Sequence, residues 1–274
     1  MAQCHRALDL VVMQAGMCHE ADGFASLVRR EGFAQTLQFA DNDTQSAMDV
    51  RRPDALVLEY TRLMMAFLVF QGSPRHILMI GLGGGSLAKF CHSHLPDSVI
   101  TVVEVDPQVI AVRQAFCVPD DSERLRVVQA DGADYVSDAQ ANTFDAILVD
   151  GFDAQAMPAS LGTTAFYDHC ERLLRPGGVL VCNLHELDPC LGLYQARIDS
   201  SFGHRSLAVP TEEVGNCVVF ACTQTPLAQR RPRRPVRPAG LSMQAWQDIE
   251  PQAAALLRQL REQDSLRHPP ERLP

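Results

Sequence analysis

Short apolar runs alternate with amphipathic segments along the middle of the chain, from residue 76 onward. The runs are rich in Ile, Val and Leu and are bounded by Gly, Asp and Pro, a pattern typical of buried parallel strands. The segments between them have the character of helices. Strands that alternate with helices predict an α/β core with a parallel sheet. The predicted strands are 77–81, 100–105, 125–129, 144–149 and 179–184, and the predicted helices are 86–94, 107–116, 132–139 and 164–174.

The two ends of the chain have different patterns. A β-like stretch at 34–39 and turn residues at 41–43 predict a small β-rich unit, and the runs at 206–209 and 217–223 predict an antiparallel strand pair. An Arg/Pro-rich stretch near the end is interpreted as a solvated linker rather than a nucleic-acid arm, and a helix from residue 243 to about 262 is expected after it. We therefore expect a β-rich N-terminal domain at 1–52, a linking helix at 53–75, a Rossmann-like domain at 76–225, and a linker with a C-terminal helix at 226–274.

Composition narrows the classes of function. The 274 residues are 46% hydrophobic and 21% charged, which is ample for one sizeable core with a small satellite domain. The formal net charge of -9 would repel a nucleic-acid backbone. Apolar stretches such as 63–70 are far shorter than the roughly 20 residues of a membrane span. Nine cysteines without a Cys-x-x-Cys pair predict reduced thiols. These features predict a cytoplasmic protein that binds neither nucleic acid nor membrane.

The strongest local signal is ILMIGLGGGSLAKF, in which an apolar strand runs into a glycine turn and then into a helix. The glycines are Gly81, Gly83 and Gly85, and Ser86 opens the helix. Glycine permits a tight turn and lets a ligand approach bare backbone, while a helix N-terminus offers free N–H groups. A tight βα turn also favours glycine without any ligand, so the motif predicts a binding site only together with the residues around it.

Acidic residues follow the next three predicted strands at the same edge of the sheet. Glu104 lies about twenty residues after the glycines, where an acid accepts hydrogen bonds from ribose hydroxyls. Asp131 and Gly132 follow the third strand, where an acid can read an adenine amino group; this step favours sulfonium-nucleoside transferases over nicotinamide enzymes. Asp150 and Asp153 follow the fourth strand, and paired carboxylates there can bind an ammonium group and accept its proton. The alternative for that pair is a loop acid and a helix cap.

No metal site is predicted, because the histidines show no ligand spacing with neighbouring cysteines or acids. Lys89 is the only lysine and lies along a predicted helix, which argues against Schiff-base chemistry.

In their order, these motifs resemble the spermidine synthase family of aminopropyltransferases over residues 45–186. The resemblance implies the Rossmann-like fold of S-adenosylmethionine-dependent methyltransferases, preceded by a small β domain. It implies a catalytic role for Asp150 and Asp153, and an acceptor site that includes Tyr60, Asp153 and Asn183. The nucleoside-binding residues that it implies are Gln45, Gly81, Gly83, Gly85, Ser86, Glu104, Asp131 and Gly132.

The same resemblance implies a reaction. An aminopropyl group would pass from decarboxylated S-adenosylmethionine to an amine such as putrescine, giving spermidine and methylthioadenosine. Asp150 would help to remove the amine proton, and Asp153 would orient the amine. The resemblance also implies a homodimer, which is the usual assembly in the family.

Several positions depart from the family. Ser86 stands where the family has an acid for the aminopropyl ammonium, Thr61 and Arg62 follow Tyr60 in place of His and Glu, and Asn183 replaces a glutamine. An altered acceptor pocket, or a different acceptor, is therefore expected. One alternative is a methyltransferase that uses intact S-adenosylmethionine, because Ser86 would not repel the donor's carboxylate. A second alternative is a nucleoside-binding homologue without turnover.

Overall fold

Two separate sheets form the framework of the protein. The structure, a computed structural model, describes residues 27–38, 44–151, 157–213, 215–224, 227–230 and 234–267. A three-stranded antiparallel sheet is made of β1 Leu27–Glu31, β2 Ala34–Gln38 and β3 Thr44–Asp49. The strands of the larger, seven-stranded sheet are β4 His76–Ile80, β5 Val99–Glu104, β6 Leu125–Gln129, β7 Phe144–Val149, β8 Leu174–His185, β9 Ser206–Pro210 and β10 Asn216–Cys222.

Helices cover both faces of the large sheet. Several helices begin after a residue that is a favourable N-cap. Asp106 caps the helix that begins at Pro107, and Thr163 caps the helix that begins at Thr164. Short 3₁₀ helices lie at Ala66–Val69 and Ala159–Gly162. The α-helices are α1 Glu59–Met65, α2 Ser86–His94, α3 Pro107–Ala111, α4 Gly132–Asp138, α5 Thr164–Leu173, α6 Leu191–Ser201, α7 Leu227–Arg230 and α8 Met243–Arg267.

The strand order of the large sheet is β6-β5-β4-β7-β8-β10-β9. The pairs from β6 to β8 are parallel, and β10 runs antiparallel to both of its neighbours. The chain moves outward from β4 through β5 to β6, then returns to the other side of β4 as β7. Ligands of open α/β sheets bind where the order reverses in this way, at the carboxyl ends of the strands. The predicted fold class is confirmed, and the crevice falls between β4 and β7.

The core is two apolar layers, one on each face of this sheet. Along β4, Ile77 and Met79 are buried in one layer, while Leu78 and Ile80 are buried in the other. This alternation follows from the two-residue period of a strand. All six residues of β7 are buried, as expected of a central parallel strand with helices on both faces.

Most predicted elements are present, with shifted ends. The linking helix is short, because α1 gives way at Ala66 to a 3₁₀ turn, and α3 ends at Ala111 well before residue 116. Strand β8 starts at Leu174 rather than 179, since its pairing with β7 resumes around the Pro-Gly-Gly turn. The expected turn at 41–43 and residues 1–26 lie outside the described residues.

The C-terminal helix belongs to the core. Helix α8 extends to Arg267, beyond the predicted end, and contacts α1, the first 3₁₀ helix and β9. Trp246, Ile249 and Leu257 are buried in the same apolar layer as α1. The helix therefore covers one face of the sheet next to the start of α1.

Two further predictions concern the chain as a whole. Cys91, Cys170, Cys182 and Cys217 are buried thiols outside any disulfide, whereas Cys117 is disulfide-bonded, so the expectation of reduced thiols throughout was wrong at that position. Among the helices of the described ranges, none combines the length and the apolar character that a membrane crossing needs.

Gly81, the residue that follows β4, is expected to tolerate no side chain. Its φ is +97°, and a Cβ atom there would lie 2.2 Å from the carbonyl oxygen of Asp150. We expect Gly81→Ala to lower the free energy of unfolding by about 2–5 kcal/mol, because backbone strain and overpacking add. Urea unfolding followed by circular dichroism measures this change.

Gly192 is the matched control, since it lies in α6 and a Cβ atom there meets nothing within 4 Å. Gly192→Ala should raise the free energy of unfolding by about 0.5–1 kcal/mol, because alanine restricts the unfolded chain more than glycine does. Equal effects of the two substitutions would contradict the close approach at Gly81.

Candidate active site

The glycine turn brings bare backbone to the carboxyl end of β4. Gly81, Gly83 and Gly85 all have positive φ, at +97°, +51° and +67°. Gly85 is the N-cap of α2, and a Cβ atom on it would lie 2.3 Å from a methyl carbon of Val118. Ser86, only 9% exposed, is the first residue of α2. The turn thus leads directly into the N-terminal N–H groups of α2, which is the arrangement predicted for a nucleoside turn.

Glu104 ends β5 beside this turn and is 8% exposed. Its Oε2 accepts a hydrogen bond from the backbone N of Leu82 at 2.8 Å, and its Oε1 accepts one from the backbone N of Asp106 at 2.9 Å. A carboxylate has about four acceptor positions, so each oxygen keeps capacity for another donor. The two bonds fix the carboxylate in the place where ribose hydroxyls are expected.

Asp131 serves first as a helix cap, a role that the sequence analysis did not assign to it. Its Oδ1 accepts hydrogen bonds from the backbone N atoms of Ala133, at 2.7 Å, and Asp134, at 3.1 Å, at the start of α4. Gly132 packs against Ile80, where a Cβ atom would lie 2.5 Å from a methyl carbon. Both cap bonds use one oxygen, so Oδ2 can accept a donor such as an adenine amino group.

Asp150, partly buried, is held by one donor on each carboxylate oxygen. Tyr60 Oη donates to Oδ2 at 3.2 Å, and Asn183 Nδ2 donates to Oδ1 at 2.9 Å. A carboxylate only accepts hydrogen bonds, so the Asn183 amide must turn its nitrogen toward Asp150. Asn183 Oδ1 then accepts from Asn216 Nδ2 at 3.1 Å. The donors follow one direction, from Asn216 through Asn183 to Asp150.

Two opposing effects act on the Asp150 carboxyl. Burial raises its pKa above the usual range, while the hydrogen bonds from Asn183 and Tyr60 lower it. Burial and the neighbouring carboxylate raise the pKa of Tyr60 well above its usual value, so the phenol stays a neutral donor. A carboxylate with a raised pKa is a stronger base, and Asp150 is therefore suited to accept a proton.

The structure brings together most of the predicted residues. The glycine turn, Glu104, Asp131 and Asp150 meet at one edge of the sheet, and Tyr60 and Asn183 meet at Asp150. Gln45 lies in β3, but the structure does not describe its side chain. Asp153 lies outside the described residues. Their predicted roles therefore remain predictions.

Thr61 and Arg62, the two substituted positions after Tyr60, bind backbone carbonyl groups. Thr61 Oγ1 donates to the carbonyl oxygen of Leu58 at 2.7 Å, and Arg62 Nη1 donates to those of Leu56, at 3.1 Å, and Val57, at 2.6 Å. These bonds hold the segment that leads into α1. Both side chains thus fix the start of the helix that carries Tyr60.

Sequence reasoning missed three residues of this region. Ser46, in β3, lies against the glycine turn, since a Cβ atom on Gly84 would be 2.6 Å from its Oγ. Asn216 orients Asn183, and Glu59 binds the backbone between β9 and β10. Glu59 could have been found from the sequence, because it is an acid next to Tyr60 at the start of an apolar helix. No local sequence pattern points to Asn216.

In the described ranges, no three His, Cys, Asp or Glu side chains are grouped so as to hold a metal ion. The arrangement is that of a Rossmann-like fold, with a glycine turn, acids at strand ends and the Asp150 carboxylate at one edge of the sheet.

Comparison with known proteins gives the family. The spermine/spermidine synthase domain matches residues 57–190. A polyamine aminopropyltransferase from Chromobacterium violaceum is 42% identical over 200 residues, which are 73% of this chain and 76% of that protein. The chain belongs to the spermine/spermidine synthase family, the polyamine aminopropyltransferases.

Solved structures agree on the fold. A probable spermidine synthase from Corynebacterium glutamicum superposes with a TM-score of 0.65 at 21% identity, over 74% of this chain and 78% of that one. Human methyltransferase-like protein 13 in complex with SAH gives a TM-score of 0.55 at 28% identity, over 74% of this chain and 93% of that one. Aminopropyltransferases and methyltransferases thus share this core.

Removing the Tyr60 hydroxyl should raise the pKa of Asp150. Tyr60→Phe deletes a donor to the ionised carboxylate, and one such bond corresponds to about one pKa unit. The measurement is a pH titration of the Asp150 carboxyl carbon by NMR, with Asp150→Asn used to assign the signal.

Tyr135→Phe is the control for this titration. Tyr135 is also partly buried, but it lies near Arg126 at the start of β6, the end of the sheet away from Asp150. It should leave the Asp150 titration unchanged. An unchanged titration in Tyr60→Phe would show that the hydrogen bond does not act on the carboxylate.

Proposed function

We propose that this protein transfers an aminopropyl group from decarboxylated S-adenosylmethionine to an amine such as putrescine, giving spermidine and methylthioadenosine. The observation that carries the proposal is the Asp150 carboxylate, oriented by Tyr60 and Asn183 and placed next to the glycine turn. Membership of the aminopropyltransferase family supports the same reaction.

The donor nucleoside binds along the carboxyl ends of β4, β5 and β6. Glu104 accepts the ribose hydroxyls with the oxygens that Leu82 and Asp106 already orient. Asp131 accepts the adenine amino group with Oδ2, and the glycine turn, Ser86 and Gln45 complete the site. Because Glu104 is fixed before the ligand arrives, little ordering remains to be done on binding.

The acceptor amine must lose a proton before it can attack. Asp150 accepts that proton, and Asp153 orients the amine in the proposed site. The nitrogen lone pair then forms a bond to the carbon next to the sulfonium, while the carbon–sulfur electron pair moves to sulfur and leaves a neutral thioether. Holding amine and donor in line supplies much of the acceleration, since positioning replaces a chance encounter.

Methyl transfer from intact S-adenosylmethionine is the second candidate, favoured by one observation. The described turn 81–86 carries no acid, and Gly84 leaves no room for one, because a Cβ atom there would lie 2.6 Å from Ser46 Oγ and 3.0 Å from the Phe116 ring. A donor with a free carboxylate would meet no like charge in this turn.

The setting that we propose for the enzyme follows from its composition and its family. A small amine is the expected partner, because a net charge of -9 attracts a cationic substrate rather than a nucleic acid. The cytoplasm is the proposed location, and a homodimer the proposed assembly.

Calorimetric titration with intact and with decarboxylated S-adenosylmethionine separates the candidates. Tighter binding of the decarboxylated donor, and release of methylthioadenosine when putrescine is added, is the expected result. Preference for the intact donor without methylthioadenosine would favour methyl transfer. Binding without any product would favour a nucleoside-binding homologue.

Asp150→Asn should strongly reduce turnover while keeping donor affinity. The amide cannot accept the amine proton, so kcat should fall by about a hundredfold or more. The dissociation constant of the donor should change less than about threefold, which is under 1 kcal/mol. Product chromatography and calorimetry measure the two quantities.

Asp168→Asn, an exposed acid on α5, is the control for this substitution and should behave as the wild type. Lost donor affinity with an undiminished rate at saturation would place Asp150 on the donor side instead.

A further inference from the structure

Glu59, the first residue of α1, is a buried acid that the reaction does not use directly. It is 8% exposed, and both of its carboxylate oxygens are bonded. Oε1 accepts from the backbone N of Glu212 at 3.1 Å, and Oε2 accepts from the backbone N of Glu213 at 2.7 Å. Burying a carboxylate is costly unless such donors compensate, so the acid is matched to this segment of backbone.

The segment that Glu59 binds lies between β9 and β10, in the β9–β10 connection, of which the structure describes residues 211–213 and 215. Its first residue, Thr211, donates from both its backbone N and its Oγ1 to the carbonyl oxygen of Asn216, each at 2.9 Å. The connection therefore closes on the residue whose side chain donates to Asn183. The position of this connection therefore determines the position of the Asn216 side-chain amide relative to Asn183.

Two routes lead from Glu59 to Asp150, one to each oxygen. The first is the peptide bond to Tyr60, whose hydroxyl reaches Oδ2. The second runs through the β9–β10 connection to Asn216 and then through Asn183 to Oδ1. The routes form a closed ring with Glu59 at one side and Asp150 at the other.

We propose that Glu59 is a positioning residue for Asp150: by binding the β9–β10 connection next to Tyr60, it holds both donors of the carboxylate in one arrangement. The inference rests on the proposed function of Asp150 as the base. It assigns to Glu59 no contact with donor or acceptor.

The consequence for Asp150 has a definite sign. Its two hydrogen-bond donors, Tyr60 and Asn183, lower its pKa against the effect of burial. Weakening either hydrogen bond therefore lets the pKa of Asp150 rise. The base form then appears only at higher pH, and the acid limb of the kcat profile moves upward. Burial raises the pKa values of Tyr60 and Cys182, and the charge of Asp150 adds to the rise at both groups.

Glu59→Ala tests the proposal on the full chain. We expect kcat to fall about tenfold to a hundredfold, because a small misplacement of a reacting group is enough for that loss. The KM for the donor should stay within about threefold. The acid limb of kcat should move to higher pH, and Glu59→Gln, which keeps one acceptor oxygen, should restore part of the rate.

Asp145→Ala is a closely matched control. Asp145 is also a buried acid, 9% exposed, whose carboxylate accepts two backbone N–H groups, those of Arg75 at 2.8 Å and His76 at 2.9 Å. It differs from Glu59 in one further partner, Arg175, whose Nη1 lies 3.1 Å from Oδ2. Asp145 lies in β7 about 17 Å from Asp150, five residues earlier along the strand. It should lose stability as Glu59→Ala does, but without a shift of the acid limb.

Two readouts do not require turnover. Hydrogen exchange of the Glu212 and Glu213 amides should become about tenfold faster in Glu59→Ala and stay unchanged in Asp145→Ala. The Asp150 carboxyl, followed by NMR, should titrate at higher pH in Glu59→Ala alone. An unchanged Asp150 titration would overturn the proposal even if stability falls. A wild type without aminopropyl transfer would overturn the proposed function, while these two readouts still decide the role of Glu59.

Discussion

The close approach of two parallel strand ends is the constraint on which the site depends. The backbone N of Asp150 donates to the carbonyl oxygen of Ile80 at 2.8 Å, and Gly81 follows with no space for a Cβ atom against Asp150. The parallel ladder between β4 and β7 thus ends with Asp150 directly beside the glycine turn. Any side chain at Gly81 would push the two strand ends apart.

The pKa of Asp150 reflects a balance of two opposing effects. Burial disfavours the ionised form of this carboxyl and raises its pKa, while exposure to water would leave it weakly basic. One donor on each oxygen keeps the group ionisable and fixes its direction. The donors come from α1 and β8, two elements that contact each other but are far apart in the chain, so the balance depends on tertiary packing and not on the loop that carries the acid.

Several acidic side chains of this protein accept hydrogen bonds from backbone N–H groups. Glu104, Asp131, Asp145 and Glu59 each accept two such bonds. Two of these acids, Glu104 and Asp131, are also proposed ligand-binding residues. In the proposed function, structural and binding roles therefore coincide in one side chain.

The sequence by itself determined the α/β core, the glycine turn and the acids at strand ends. It could do so because buried strands have a local pattern, and because the carboxyl ends of parallel strands share one edge, which turns order along the chain into position in space. Only the tertiary structure decided the ring around Asp150. Asn216 meets Asn183 across 33 residues and Glu59 meets Glu212 across 153, through the antiparallel pairing of β8 and β10 and the packing of α1. The burial of α8 was also decided there, since an amphipathic pattern does not say which face of the sheet a helix will cover.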